Sequence, residues 1–201
     1  MANSDAPKGL FPVQHLDGSA FTGKVTMYAL LASATGAIFI GDPVKSAGTA
    51  GAAGVTINGI DVEGMATVAA AAAGDAIRGV VVGFLPNQSD LTQRYRPSSQ
   101  ARIALVADGS DVVFEVQEDS EGGALAVTNV GACVDFSNIA SGSTTTGLSA
   151  VELDSSIVES TTTSAQFRIL GLAKRPDNVV GTNAKWLVMI NEHELKGTTG
   201  V

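Results

Sequence analysis

The two histidines are the residues of this chain with the most versatile chemistry, since imidazole can carry protons or bind metal ions. His15 and His193 lie far apart in the sequence. His193 belongs to the stretch Asn191–Glu194, which resembles the zinc-binding metalloprotease motif in its letters but lacks the second histidine four residues later. The sequence therefore does not support a zinc site. It favours an exposed position for His193 at the end of a strand.

Six acidic residues fall within a short stretch of the chain, and they are Asp108, Asp111, Glu115, Glu118, Asp119 and Glu121. Such a run suggests calcium, because calcium loops place oxygen ligands at alternate positions around a glycine. The apolar residues Val112–Phe114 interrupt that pattern here. A solvated acidic face is the favoured interpretation, and an interface patch and a metal site are the alternatives.

Motifs of the common enzyme classes are missing from the sequence. It contains no phosphate-binding P-loop, no G-x-G-x-x-G that opens a helix and no G-x-S-x-G elbow. Cys133 is the only cysteine, and it is best interpreted as a small buried apolar residue. Arg94, Tyr95 and Arg96 could stack on a nucleotide base, but with no second aromatic residue nearby they favour a surface loop or a subunit contact. We expect a protein that is not an enzyme and needs no cofactor.

Charge and hydropathy narrow the class of partner. The net charge is −8, and most of the acidic excess follows residue 100. A chain without a basic stripe does not suit nucleic acid, whose phosphates need neutralisation. No apolar run reaches the roughly 18–20 residues of a membrane span, and residues 1–7 do not have the pattern of a signal peptide. The acidic charge suits solubility, or docking on a partner with basic patches. Synthesis in the cytosol is the working assumption.

Period-two alternation of apolar residues predicts the elements that position these side chains. Ala101–Glu121 is the clearest case, and it is interpreted as a β-hairpin that turns at Asp108–Asp111. Val55–Val62 forms a second hairpin by its Asn-Gly pair, and Gly79–Leu85 is a strand buried on both faces. Further strands are predicted at 25–31, 37–40, 125–136, 151–153, 165–172 and 186–190. With no helical stripe of 10–12 residues, the predicted fold is all-β, a barrel or a jelly-roll-like sandwich.

The chain divides into an arm, a domain and a tail. Residues 1–24 are predicted to be an extended N-terminal arm, residues 25–195 a single β domain, and residues 196–201 a flexible tail. Within the domain, residues 45–76 are interpreted as a Gly/Ala-rich insert. The arm carries one apolar cluster, formed by Leu10, Phe11, Pro12 and Val13, and it either packs on its own domain or reaches a neighbouring subunit. We expect Phe84, Phe114, Phe167 and Trp186 to be buried in the core.

Several stretches resemble a family of tailed-bacteriophage capsid decoration proteins, which are also called cement or head-stabilising proteins. The resembling segments, in chain order, are Pro7–Val13, Ile40–Val44, Gly79–Phe84, Val113–Asp119, Glu152–Ser156 and Asn183–Asn191. None of them is a chemical signature, and residues 45–76 match no part of the pattern.

The resemblance implies an all-β virion protein that binds the outer surface of a phage capsid and stabilises it. Its partner would be the major capsid protein, it would often form a trimer over joints between capsid subunits, and it would carry no catalytic residues. It would be assembled in the host cytoplasm and located on the capsid surface. The candidate contact residues are Leu10, Phe11, Pro12, Val13, Tyr95 and Arg96. The alternative is another virion component, such as a head-fibre base or a tail protein that binds host glycans.

Overall fold

A computed structural model describes residues 3–138, 141–159 and 165–196, and the regular secondary structure of this part of the chain is almost entirely β-strand, as the sequence predicts. Two three-residue 3-10 helices lie at Val127–Asn129 and Glu194–Lys196. The strands are β1 (Phe11–His15), β2 (Thr26–Leu30), β3 (Pro43–Ala50), β4 (Thr56–Ile57), β5 (Ile60–Asp61), β6 (Ala66–Ala70), β7 (Gly79–Phe84), β8 (Arg102–Ala107), β9 (Val112–Gln117), β10 (Cys133–Ser137), β11 (Glu152–Glu159), β12 (Phe167–Leu172) and β13 (Lys185–Ile190). No helix among these residues is long and apolar enough to cross a membrane.

The strands form a closed barrel and a six-stranded sheet. The barrel order is β2-β6-β3-β7-β8, and the sheet order is β1-β9-β13-β12-β10-β11. Strands β4 and β5 pair separately as the predicted Asn-Gly hairpin, in which Asn58 and Gly59 both have positive φ. The barrel confirms one of the two architectures that the sequence predicts.

The Ala101–Glu121 stretch supplies two strands, as predicted, but they do not form a hairpin. Strand β8 pairs with β2 and β7 in the barrel, whereas β9 pairs with β1 and β13 in the sheet. The intervening Asp108–Asp111 turn is therefore a crossover between the barrel and the sheet. Alternation identifies a half-buried strand but does not specify its partner, which explains the error.

Residues 45–76 are not an insert. They contribute most of β3 and all of β6, two of the five barrel strands. Ala69 and Ala70 end β6, and Ala71–Ala73 follow it outside any strand or helix. Val68 lies in the barrel core, although its neighbours are small. The glycines permit close packing, since a Cβ on Gly51 would lie 1.9 Å from the carbonyl oxygen of Val62.

The main apolar core contains residues of both the six-stranded sheet and the barrel. Its apolar cluster combines residues of the sheet, such as Phe114 and Trp186, with Val80 of β7 and Ala107 of β8 from the barrel. Three of the four aromatic residues predicted to be buried are fully buried, while Phe84 is half-buried beneath the guanidinium of Arg102. Cys133 is buried and free, as expected.

The two ends of the chain differ from their predictions. Residues 11–15 form β1, which is paired with β9, so the stretch is not an arm without local structure. At the other end, Lys196 closes a 3-10 helix, and the rest of the predicted tail, residues 197–201, lies outside the described residues.

Candidate functional site

Strand β1 contains three of the six sequence-predicted contact residues, but it exposes mainly one of them. Leu10, just before the strand, is only 2% exposed and belongs to the main core, and Pro12 is also buried. Val13 is half-buried at a register shift in the pairing with β9. Phe11 is 60% exposed, so it is the side chain of this cluster that a partner can reach.

The segment before β1 is attached to its own domain. The side chain of Asn3 donates to the carbonyls of Val179 and Thr182 and accepts from the backbone N–H of Val179. The backbone N–H of Leu10 then donates to the carbonyl of Gly41 at 3.0 Å. Of the two interpretations that the sequence leaves open for the arm, the chain therefore follows packing on its own domain.

The other two predicted contact residues are Tyr95 and Arg96, and both side chains make contacts within the domain. The Tyr95 ring stacks on Phe39 with centroids 5.0 Å apart. Arg96 is 0% exposed, which corrects its interpretation as a surface contact. Its guanidinium donates to four backbone carbonyls, those of Leu31, Ala34, Gly36 and Gln100.

An apolar groove of about 370 Å³ lies between β1 and the barrel, with Phe11 in its wall. We call it the Phe11 groove, and its lining is Leu10, Phe11, Pro12, Phe21, Gly23, Val25, Ile40, Val81 and Val82. One wall is held in place by the backbone N–H of Phe21, which donates to the carbonyl of Val13 at 3.1 Å. This surface suits the apolar side chains of a protein partner, because burying such groups is favourable.

Asp42 lies next to the groove residues around Ile40 and holds the neighbouring backbone through hydrogen bonds. Its carboxylate accepts from the backbone N–H of Phe39 at 2.8 Å and from the hydroxyl of Ser149 at 2.5 Å. Burial raises the pKa of Asp42 to about 6, although these two hydrogen bonds oppose the shift. The neighbouring Gly41 then contacts the N-terminal segment, where a Cβ on Gly9 would lie 2.6 Å from the Gly41 carbonyl oxygen.

Asp42→Asn is expected to stabilise the protein at neutral pH. Because the folded pKa of Asp42 is raised from 3.8 to about 6, its stabilising contribution is complete below about pH 4 and disappears as the pH rises through 6. The asparagine stays neutral throughout, and it mimics the protonated acid. The variant should unfold with a free energy up to about 3 kcal/mol higher than the parent at pH 8, at 1.36 kcal/mol per pKa unit.

Urea denaturation between pH 4 and pH 8 measures this difference. It should shrink as the pH falls and vanish near pH 4. A difference between Asp42→Asn and the parent that does not change with pH would contradict burial of an ionisable group at this position.

The Asp108–Asp111 crossover collects the groups that could carry acid-base chemistry. His15 donates from Nδ1 to the carboxylate of Asp111 at 3.0 Å, and His193 donates from Nε2 to the carbonyl of Asp108 at 3.1 Å. His193 is buried, which corrects the exposed position predicted for it, and burial lowers its pKa. Both histidines therefore fasten the crossover to the rest of the fold.

Tyr28 completes this network. Its hydroxyl donates to the Asp108 carboxylate at 2.7 Å and accepts from Nε of Arg78 at 2.8 Å. Burial, reinforced by the hydrogen bond to Asp108, raises the pKa of Tyr28 to about 12, so the phenol stays protonated at neutral pH. Its protonated hydroxyl connects the barrel to the crossover.

The acidic run is only partly a solvated face. Glu118 is fully buried, where it accepts from the backbone N–H of Leu125 at 2.7 Å and from the hydroxyl of Ser120 at 2.7 Å. Asp119 accepts from the hydroxyls of Ser137 and Ser155, each at 2.8 Å. Both carboxylates are structural acceptors that hold loops to the sheet. The described residues contain no group of three or more His, Cys, Asp or Glu side chains placed to hold a metal ion.

Sequence reasoning missed several residues of the groove. Ile40, Val81 and Val82 lie in segments that carry the family resemblance, so the resemblance was the signal that could have found them. Phe21 lies in the predicted arm and Val25 begins a predicted strand, and nothing in the sequence marks either as a lining residue.

Comparison with known proteins finds no relative. No protein-family model, curated protein or solved structure matches this chain.

Proposed function

We propose that this protein is a virion structural protein that binds the outer surface of a phage capsid and stabilises it, with the major capsid protein as its partner. The observation that carries the proposal is which segments of the sequence supply the residues that line the Phe11 groove. Six of its nine lining residues come from three of the segments that resemble the decoration family, and they are Leu10, Phe11, Pro12, Ile40, Val81 and Val82.

The resembling segments also form one connected unit in space. Three of them form β1, β9 and β13, which are consecutive strands of the sheet. The segment at 40–44 joins β7 through a hydrogen bond from the N–H of Gly41 to the carbonyl of Val81 at 2.7 Å. The segment at 152–156 joins the end of β9 through the N–H of Asp119, which donates to the carbonyl of Leu153 at 3.0 Å. Segments scattered along the chain thus build one body, as a shared fold would require.

The burial of Trp186 and of the two tyrosines favours this function over a glycan-binding head-fibre base or tail protein. Glycan sites present exposed aromatic rings, and this chain has one Trp and two Tyr. Trp186 and Tyr28 are buried, and Tyr95 is half-buried against Phe39. None of these three offers a free ring to a sugar.

A trimer at local three-fold axes is part of the proposal, but β7 is not its contact. Both faces of β7 are apolar, a pattern that would suit a contact between copies. Val80 packs in the main core and Val81 in the barrel core, so the same chain covers both faces. A contact between copies has to use another surface.

Phe11→Thr tests the proposed docking surface. Phe11 is already exposed, and threonine favours strands, so stability should change by less than about 1 kcal/mol. Binding to empty shells of the major capsid protein from the same phage genome should fall about ten- to a hundredfold, because one buried phenylalanine contributes about 1.5–3 kcal/mol. Co-sedimentation measures the affinity, and a density map of decorated shells gives the copy number.

Leu91→Thr is the matched control. Leu91 is 79% exposed and lies outside the groove lining, so the control should bind like the parent. If the parent fails to bind shells at saturating concentration, the proposed function is wrong. If the parent and Phe11→Thr bind equally well, the function stands and the groove is not the docking surface.

A further inference from the structure

A basic pocket of about 150 Å³ shares Phe11 with the Phe11 groove. Its lining is Ala6, Lys8, Gly9, Phe11, Glu115, Val116, Gln117, Arg175 and Lys185. Because Phe11 lines both cavities, the pocket and the Phe11 groove are adjacent. The lining has three basic side chains and one acidic one, in a protein whose net charge is −8.

Arg175 is the basic group of the pocket that is already neutralised. It binds the carboxylate of Glu115 at 2.7 Å and that of Asp177 at 3.0 Å. These pairs hold its guanidinium at the edge of the pocket. Because its charge is already paired, Arg175 lines the pocket but is not the group that would bind an added carboxylate.

The other two basic side chains of the pocket are Lys185 and Lys8. Lys185 is only 8% exposed, and it lies on β13 opposite Gln117 of β9. In the part of the chain that the structure describes, neither lysine has a carboxylate within 4.0 Å of its ammonium group. A carboxylate brought into the pocket can pair with one of these ammonium groups, and hydrogen bonds between charged partners are stronger than those between neutral ones.

We propose that this pocket receives a carboxylate side chain of the capsid protein, while an apolar side chain of the same segment enters the Phe11 groove. The inference rests on the proposed function and specifies the chemistry of the partner. Charge complementarity selects an acidic group, and the shared wall at Phe11 requires that the acidic and apolar groups lie close together on the partner. An extended segment satisfies this requirement, because alternate side chains of a strand project from the same face.

Lys8→Gln and Lys185→Gln test the proposal by shell co-sedimentation at low ionic strength. Each should weaken binding about tenfold or more, since removing one member of a desolvated charge pair leaves the other unpaired. Lys196→Gln is the matched control, because Lys196 is exposed and lies outside the pocket. Lys8 is exposed as well, so its variant remains informative if Lys185→Gln proves unstable.

The outcomes separate this inference from the proposed function. If the parent does not bind shells, the proposed function fails and the inference fails with it. If the parent binds and Lys8→Gln binds equally tightly, only the inference is overturned.

Zero-length carbodiimide cross-linking of decorated shells gives a second measurement. It should join Lys8 or Lys185 to an Asp or Glu of the capsid protein. Cross-links that involve only other lysines of this chain would overturn the proposal.

Discussion

Replacing Arg96 with leucine is expected to lower the free energy of unfolding by about 4 kcal/mol or more, because four carbonyl groups lose their donor and each unsatisfied buried group costs about 1–3 kcal/mol. The guanidinium donates to Leu31, Ala34, Gly36 and Gln100 at 2.7–2.8 Å. In addition, the backbone of Arg96 exchanges two hydrogen bonds with Ile38. Arg96 thereby ties the loop after β2 to the loop before β8.

Two controls separate charge from geometry at this position. Arg96→Lys keeps the positive charge, but an ammonium group cannot reproduce the planar fork of five donors, so its loss of stability should be nearly as large. Arg94→Ala removes an exposed arginine from the same loop and should change the unfolding free energy by less than about 0.5 kcal/mol. Urea denaturation measures all three variants. A midpoint for Arg96→Leu close to that of the parent would show that water satisfies the four carbonyls.

The sequence predicts where strands lie much better than how they pair. Alternation located β8 and β9 within a residue or two, because it reports the burial of every second side chain. It misjudged their partners because pairing depends on where the Asp108–Asp111 turn directs the chain. That direction is set by contacts distant in sequence, such as His193 with Asp108 and His15 with Asp111.

Composition misled the interpretation of residues 45–76. A stretch rich in Gly, Ala and Thr lacks the large side chains that identify a core strand. In the barrel, however, small residues allow neighbouring backbones to approach, as they do where Gly51 meets Val62. The large side chains that fill the barrel, among them Tyr28 and Leu30, come mainly from other strands. The position of β3 and β6 in the barrel therefore depends on the large side chains of the neighbouring strands, which composition alone does not reveal.

The candidate site was partly predictable for a similar reason. The apolar cluster around Phe11 was recognised from the sequence, but the side chains within it that turn inward depend on the register of β1 against β9. The charged residues were harder to place, because the burial of Arg96 and Glu118 is compensated by backbone groups that leave no pattern in the sequence. The basic pocket likewise combines residues from opposite ends of the chain, such as Lys8 and Lys185.

Deleting residues 1–16 is expected to lower the melting temperature by roughly 10 °C or more, which corresponds to about 5 kcal/mol for a protein of this size. The deletion removes β1 from the edge of the sheet and exposes β9. It also removes Leu10, whose burial in the main core contributes about 1.5–3 kcal/mol. The hydrogen bond from Leu10 to Gly41 and the contact of His15 with Asp111 are lost as well.

Deleting residues 1–4 alone is the matched control for this truncation. It removes the attachment of Asn3 to the loop at 179–182 but leaves β1 and Leu10 in place, so the melting temperature should change by only a few degrees. The pair of deletions distinguishes two roles for the N-terminal segment, as a strand of the domain or as a clamp on a partner. If the longer deletion melts like the parent and loses only its affinity for shells, β1 contributes nothing to the domain and the segment is a clamp. If it melts far lower while the short deletion does not, residues 5–16 are an integral part of the domain. Phe11 is then available to a partner because β1 presents it from a fixed position.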